Sequence, residues 1–468
     1  MTQPRILRTI FRRGVAVALL LPAAIGACAL GPNYKRPDTP TPKAWDGAAT
    51  GADAWPSLDW WQNFGSPQLD ELITQARSNN TDLAAAAARV KQADAQSRVA
   101  GAPLLPTVGA EVNTGPTRVL NNNGAERHHT AFQGLLTASY EFDFWGKNRS
   151  ALESAQASAS AGRYDWQVVS LTITTGVAET YFQALGLQDR LRVAHDNLTR
   201  AQRGLDGTAE QQRRGLVPQL DVVQEQTVVD GLAALIPPLE QQLALTKNAL
   251  AILVGKLPEE LKLPSGSLLD LSLPTVAPGL PSELLVRRPD VQEAEEQLIA
   301  ANADIRVARA QFFPSFGLTA SGGLVSYALS SFTTPAQPIY TLLASITQPI
   351  FDGGKLQGQL EFSQARSEEL LQNYRKASLS AFGDVEDALA STKATADQQA
   401  KQQKSVASAR QGYQMALDAF QGGTTTILNV LVSETALFSA EDALVQARLA
   451  HMQALVGLFR ALGGGWKA

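Results

Sequence analysis

Residues 131–147 read Ala131-Phe132-Gln133-Gly134-Leu135-Leu136-Thr137-Ala138-Ser139-Tyr140-Glu141-Phe142-Asp143-Phe144-Trp145-Gly146-Lys147. Leu136, Ala138, Tyr140 and Phe142 fall on one side of an alternating pattern, and Thr137, Ser139, Glu141 and Asp143 on the other. Side chains of a strand point to opposite faces in turn. The run therefore predicts a strand with one apolar face and one face of hydroxyls and carboxylates. At Trp145-Gly146-Lys147 the alternation stops and a long Ala- and Gln-rich helical run begins. The same switch recurs over residues 339–355, ending in Gly353-Gly354-Lys355. A two-faced strand feeding a long helix predicts a membrane β-barrel wall continued by a helical tube.

Outward from that stretch, the chain proves to be a duplication. With an offset of 208 residues the halves align without a gap over about residues 82–255. Asp82 falls on Asp290, Arg98-Val99-Ala100 on Arg306-Val307-Ala308, Pro106 on Pro314, and Gly146-Lys147 on Gly354-Lys355. Late in the unit, Leu220, Val222 and Thr227 meet Leu428, Val430 and Thr435. Chance matches would not keep one register through strands, turns and helices. Each unit reads helix, strand, loop, strand, long helix, turn, helix.

The first helix is expected over about residues 66–102, ending before Pro103 and Pro106. The next strand, about residues 107–117, sets Val108, Ala110 and Val112 opposite Gly109, Glu111 and Asn113. Its twin sets Phe316, Leu318, Ala320 and Leu324 opposite Ser315, Gly317, Thr319 and Ser321. Polar loops are expected over residues 118–130 and 327–338. Strands of about 10 to 13 residues can cross a bilayer when tilted. Four of them per chain cannot close a ring, and open edges are excluded in hydrocarbon. Several copies are therefore required; two would supply eight strands and three would supply twelve. Glu111, Glu141 and Asp143 are expected to face the watery lumen.

The long helices are expected over about residues 148–204 and 356–412, each of order ~85 Å at the α-helical rise. One seam in the first follows Val177, Tyr181, Ala184, Gln188, Leu191, His195 and Leu198, a heptad spacing with polar members. Turns follow at Gly215 and at Gly422-Gly423, and Ile236-Pro237-Pro238 should kink or break the returning helix. A Pro/Leu/Ser-rich linker over residues 257–281 reads as an ordered strap.

The amino terminus carries Arg5, Arg8, Arg12 and Arg13 before an apolar run, then Ile25-Gly26-Ala27-Cys28. A basic start, a short apolar core and small residues mark a secretory signal. Cys28 is the only cysteine, so no internal disulfide is possible, and its setting resembles a bacterial lipobox. Lipidation at Cys28 is expected, with covalent lipid of the palmitate class as the only attached group and no cofactor. Removing residues 1–27 takes four arginines and no acids, moving the formal charge from −4 to −8. No basic patch remains for nucleic acid.

The motifs Gly31-Pro32-Asn33-Tyr34, Trp60-Trp61 with Phe64, Arg287-Arg288-Pro289-Asp290-Val291, Ala310-Gln311-Phe312-Phe313-Pro314 and Ala461-Leu462-Gly463-Gly464-Gly465-Trp466 carry a resemblance. The chain resembles the lipoprotein branch of the TolC-like outer-membrane efflux proteins, the NodT or outer-membrane-factor family, over essentially its whole mature length. The resemblance implies an α+β membrane protein: a homotrimer with a twelve-stranded outer-membrane barrel, continued by a periplasmic helical barrel. It implies a passive exit duct docked on a periplasmic adaptor and an inner-membrane pump, usually of the resistance-nodulation-division type, passing drugs, metals or other solutes. Ala29 is not the aspartate that would favour inner-membrane retention in such lipoproteins.

The implied organisation is a signal peptide at 1–27, a lipidated tether and equatorial segment at 28–65, and a first repeat at 66–255. An equatorial linker at 256–283, a second repeat at 284–463 and a tail at 464–468 complete it. The implied adaptor-binding tips are Gly215, Leu220, Asp221, Val222 and their twins Gly423, Leu428, Asn429 and Val430. Where the family carries a charged periplasmic gate this chain has Phe420-Gln421, Val432 and Thr435, which leaves an apolar constriction of Leu428 and Leu431 as the expectation. A conduit for type I protein secretion and a non-channel coiled-coil scaffold are the competing readings. No catalytic constellation is present. His128-His129 lacks carboxylate or cysteine company, and Gly353-Gly354-Lys355 lacks the spacing of a phosphate loop. Neither an enzyme nor a metal site is expected.

Overall fold

The computed structural model describes residues 31, 33–46, 57–120, 126–262, 265–276, 279–327, 329 and 337–465. The signal segment, Cys28 and Trp466 lie outside the described residues. The chain divides into two units, each assembled from separated stretches of sequence.

The first unit comprises Met1–Asp38, Arg89–Arg163 and Glu293–Arg375. It holds β1 (Thr107–Leu120), β2 (Glu126–Phe142), β3 (Ser315–Ser326) and β4 (Gln337–Thr347) in one antiparallel sheet of order β1-β2-β3-β4. Thr107 pairs with Ser139 in the first hairpin, and their counterparts Ser315 and Thr347 pair in the second. The duplication is thus conserved down to strand register. Both hairpins even repeat a side-chain bond, Thr107 Oγ1 to Ser139 O and Ser315 Oγ to Thr347 O, each 3.3 Å.

Residues paired directly across strands share a face. One face carries the rows Val108–Ala138–Ala320–Leu342 and Phe142–Phe316–Ile346. The other carries Gly109–Thr137–Ser321–Thr341 and Glu141–Gly317–Ser345. The parity expected for β1, β2 and β3 is therefore observed, and β4 continues it. Val112 and Tyr340 are 81% and 89% exposed, so the apolar face has no cover among the described residues. The strands run farther than expected: β1 reaches Leu120 and β2 starts at Glu126, which shortens the first loop at both ends.

The second unit comprises Thr39–Ala88, Tyr164–Gln292 and Lys376–Ala468. The anticipated single helix at 66–102 is two, α1 (Pro67–Asn79) and α2 (Thr81–Gly101). Asn80 breaks them: it is extended, and its Oδ1 accepts from the N–H groups of Asp82 and Leu83 at 2.9 and 3.0 Å. That bond pattern starts a new helix rather than continuing the old one. The long helices are α3 (Lys147–Arg213) and α8 (Lys355–Gln421), each running nine residues past the expected end. The returning helix breaks at the prolines, into α4 (Gln219–Ala234) and α5 (Ile236–Leu253). Helices α6 (Pro281–Arg287), α7 (Pro289–Ala310) and α9 (Ile427–Ala461) complete the chain.

The core of this unit is aromatic. Trp60 stacks on Phe459 at 4.7 Å, and Phe64 packs on Phe182 at 4.9 Å. Val177, Tyr181 and Ala184 are buried as the heptad seam anticipates, but His195 is exposed. Past Asp189 the buried positions of this helix become Ala194, Asn197, Ala201, Leu205 and Thr208, so the seam shifts off the sequence pattern.

Candidate functional site

Two places carry the features a conduit requires: the junction where strands become helices, and the tips of the helical hairpins.

At the junction, Glu141 lies on the hydroxyl-bearing face beside Gly317 and Ser345. Its Oε1 accepts from Lys147 Nζ at 2.5 Å. Glu111 lies on the same face in β1, exposed, accepting from Asn113 Nδ2 at 2.8 Å. Asp143 requires a correction. Strand β2 ends at Phe142, and the Asp143 carboxylate accepts from the N–H groups of Asn148 and Arg149 at 3.1 and 2.9 Å. Unfilled N–H groups at a helix start attract such an acceptor. Asp143 is therefore a helix cap with an ion pair to Arg149, rather than a wall residue. Trp145 secures the same corner, donating from Nε1 to Pro314 O at 2.7 Å. Asp352 caps α8 in the same way, accepting from Leu356 and Gly354, and those backbone bonds hold its carboxyl below the usual range.

At the tips, Gly215 and Gly423 take the left-handed conformation, with φ of 77° and 71°. In the first turn Leu216 N donates to Gln211 O and Gly215 N to Gln212 O; in the second Thr424 N donates to Ala419 O and Gly423 N to Phe420 O. These paired bonds close a helix end with glycine at the turn. The two hairpins are congruent.

Their expected contact residues separate into two groups. Leu220 and Leu428 are 62% and 53% exposed, and Asn429 is exposed as well. Asp221 and Val222 are half-buried, with Val222 against Ala201, Leu205, Val229 and Leu232. Val430 and Leu431 are buried with Ile427 against Tyr413, Leu417 and Phe420. Val430 therefore cannot present its side chain to a partner, and Leu431 cannot line an opening; both hold the second tip together. Leu216, Val223 and Val432 are exposed apolar residues that sequence reasoning did not select for the tips. Their signal was the apolar run on either side of each turn.

The sequence reading also missed a buried acidic pair. Glu225 on α4 and Glu434 on α9 are buried, and they line one cleft of about 210 Å³ with Thr208, Arg200 and Tyr413. Burial raises both carboxyls above the usual range. Among the described residues no group of His, Cys, Asp and Glu is arranged to hold a metal ion, and no helix is long and apolar enough to cross a membrane.

The model of the outer membrane efflux protein family matches this chain twice, over residues 72–256 and 280–464. The chain belongs to the outer membrane efflux protein family. Both limits of the second match lie 208 residues beyond those of the first, the spacing of the internal duplication.

The pyoverdine export outer membrane protein OpmQ of Pseudomonas aeruginosa is 40% identical over 453 residues, covering 95% of both chains. The cation efflux system protein CusC of Escherichia coli K12 is 32% identical over 449 residues, 94% of this chain and 97% of CusC. Among solved structures, the outer-membrane channel OprN superposes with a TM-score of 0.87 at 28% identity, covering 94% of this chain and all of OprN. A CusC structure gives 0.84 at 30% identity. The fold is that of TolC-like outer-membrane channels, with the strands in the outer membrane and a helical periplasmic extension. The protein is an efflux channel of the outer membrane and not an enzyme.

Proposed function

We propose that the chain is the passive exit duct of a tripartite pump, working as a homotrimer that docks on a periplasmic adaptor driven by an inner-membrane transporter of the resistance-nodulation-division type. The observation carrying this reading is the sheet. Strands β1 and β4 each leave one edge unpaired in the chain, while the apolar face lies exposed. Unpaired backbone groups are too costly in hydrocarbon, so the edges must meet those of further copies. Three copies give twelve strands, and two congruent hairpins per copy give six similar grooves for adaptor hairpins. Gly215, Leu220, Asp221, Gly423, Leu428 and Asn429 form the docking tips, and Leu428 supplies an apolar constriction at the periplasmic end.

Cys28, three residues before the described segment begins at Gly31, carries the lipid anchor. Tyr34 and Arg36, just after it, both donate to Glu295, so the tether is fastened to the first unit. The likeness to OpmQ makes pyoverdine the first solute to test, with cations second because of CusC. Purified protein in planar bilayers should give discrete pores, and its mass in detergent should be that of three chains. A monomer without pores would support the scaffold reading instead. Deletion of the gene should raise sensitivity to toxic solutes; loss of a secreted protein alone would favour type I secretion.

A further inference from the structure

The buried acids at the tip have no task in passive conduction. Glu225 is 4% exposed and Glu434 is 6% exposed. Glu225 Oε1 accepts from Thr208 Oγ1 at 3.0 Å, while its Oε2 is buried with no hydrogen-bond partner among the described residues. That oxygen packs over Gly204 on α3, where a methyl group would stand in ordinary contact with it at 3.5 Å.

The groups around the pair come from four helices. Helix α3 contributes Arg200, Arg203 and Thr208; α4 contributes Glu225 and, nearby, Asp221; α8 contributes Tyr413; α9 contributes Glu434. Arg200, the guanidinium that acts on Glu434, commits its Nη2 elsewhere, donating to Asn197 Oδ1 at 2.6 Å and to Glu441 at 3.1 Å, while its Nε is buried with no hydrogen-bond partner among the described residues. Glu441 is shared in turn with Arg410 on α8. Two carboxylates thus face two hydroxyls and an arginine whose Nη2 is committed elsewhere. An ionised carboxylate with an empty buried oxygen is unfavourable, and a second negative charge beside it makes it more so. A proton on one of the pair removes both costs. A metal cation would have to enter beside Arg200 and Arg203, which repel it.

The pair also sits where the two hairpins of one chain are joined. Val228 of α4 packs against Ile427, Val430 and Leu431 of α9, and Phe438 of α9 packs against the Ala201, Leu205, Val229 and Leu232 cluster. We propose that Glu225 and Glu434 form a proton-operated latch that holds the first and second hairpins of a chain together at the tip, closed when a proton is bound and loosened when both acids ionise. This goes beyond the conduit function, because it assigns the tip a state set by pH.

The sign follows from burial. A carboxyl raised in the packed tip binds a proton more tightly there than in a loosened one. Packing is therefore favoured at acid pH and weakens as pH rises from the ordinary carboxyl range through the raised value. Burial of Tyr413 also lifts its hydroxyl, keeping it neutral throughout that range.

The test is hydrogen–deuterium exchange on the purified full-length protein in detergent, corrected for intrinsic rates, at about pH 5 and about pH 8. Exchange of residues 200–232 and 413–438 should be slower at the lower pH, by about tenfold for each unit that burial raises the carboxyls. Glu225→Gln with Glu434→Gln should hold the low-pH rate at both values, while the strand hairpins exchange alike in both proteins. An unchanged pH response in the double variant would overturn the latch, as would slowing of the wild-type tip by added calcium or sodium at the higher pH, which would mark a cation site. Pores are read separately, so a protein that shows the shift but does not conduct would sink the channel reading and spare this one.

Discussion

Asn80 and Arg288 stand 208 residues apart, at matching points of the two repeats, and hold matching carbonyls with different chemistry. Asn80 Nδ2 donates to Leu253 O at 2.9 Å, and Arg288 Nη1 donates to Ala461 O at 3.2 Å; Ala461 is the counterpart of Leu253. Beside them Gly255 and Gly463 are also twins, both with positive φ, packed on the backbone of the twins Asn79 and Arg287. The backbone problem is one problem: a helix end must be held against the joint between two other helices. The first repeat solves it with a small neutral amide that also starts α2. The second uses an arginine that also pairs with Asp290 and Asp384 and donates to Ala381 O. Duplication kept the geometry and freed the chemistry, so a charged hub exists on one side of the pseudo-repeat only.

The sharpest way to break that comparison is to remove each side chain in turn. Arg288→Ala leaves Asp290 and Asp384 without their arginine and takes one donor from the carbonyls of Ala461 and Ala381. It should cost about 3 kcal/mol, the low end for a broken buried pair because the carboxylates stay partly exposed. Asn80→Ala loses a cap and one carbonyl bond and should cost ~1 kcal/mol. Thermal melts followed by circular dichroism would show it, and equal losses would mean the two nodes are interchangeable. A second pair separates packing from contact at the tip. Leu431→Ala empties a buried site and should cost roughly 2–3 kcal/mol. Leu428→Ala, on the exposed side, should stay within ~0.5 kcal/mol. Leu428→Ser should instead change single-channel conductance strongly. Unchanged conductance would remove Leu428 from the constriction.

The strands were legible because a sheet with lipid on one side and water on the other writes its faces as a period of two. Val108, Leu136, Phe316 and Leu318 all fell on the side that pairing later gave them. The duplication was legible for the same reason that the register repeats. Asp143 was misread because alternation continues one residue past the strand, and only the three-dimensional start of α3 reveals a cap. The break at Asn80 was missed because the alanine run at 84–88 favours helix, although the Asn80-Thr81-Asp82 start signal is local; the bond from Asn80 Nδ2 to Leu253 O that fixes the break comes from far along the chain. Leu431 looked like its neighbour Leu428; which leucine faces inward depends on Tyr413 and Phe420 of another helix. The Glu225 and Glu434 pair was invisible because the duplication does not align it: the twin of Glu225 is Ser433, and the twin of Glu434 is Gln226.

The smallest contrast lies where the strands hand over to the long helices. Both repeats start that helix at matching lysines, Lys147 and Lys355, and both cap it with an aspartate. The aspartates are out of step by one: Asp143 corresponds to Phe351, and Asp352 to Phe144. Asp143 therefore reaches N–H groups five and six residues on, whereas Asp352 reaches those two and four residues on. The Asp143 side chain is 9% exposed and is held by Arg149 as well. Its removal as Asp143→Ala should cost about 1 kcal/mol, as for an ordinary cap. Asp352 is open to water, which can take over its N–H groups, so Asp352→Ala should lower the melting temperature less. Because the backbone bonds depress the Asp352 carboxyl, that cap operates above the ordinary aspartate range and fails only as pH falls through the lowered value. An Asp352→Ala protein as destabilised as Asp143→Ala would show that position along the turn, and not burial, sets the strength of the cap.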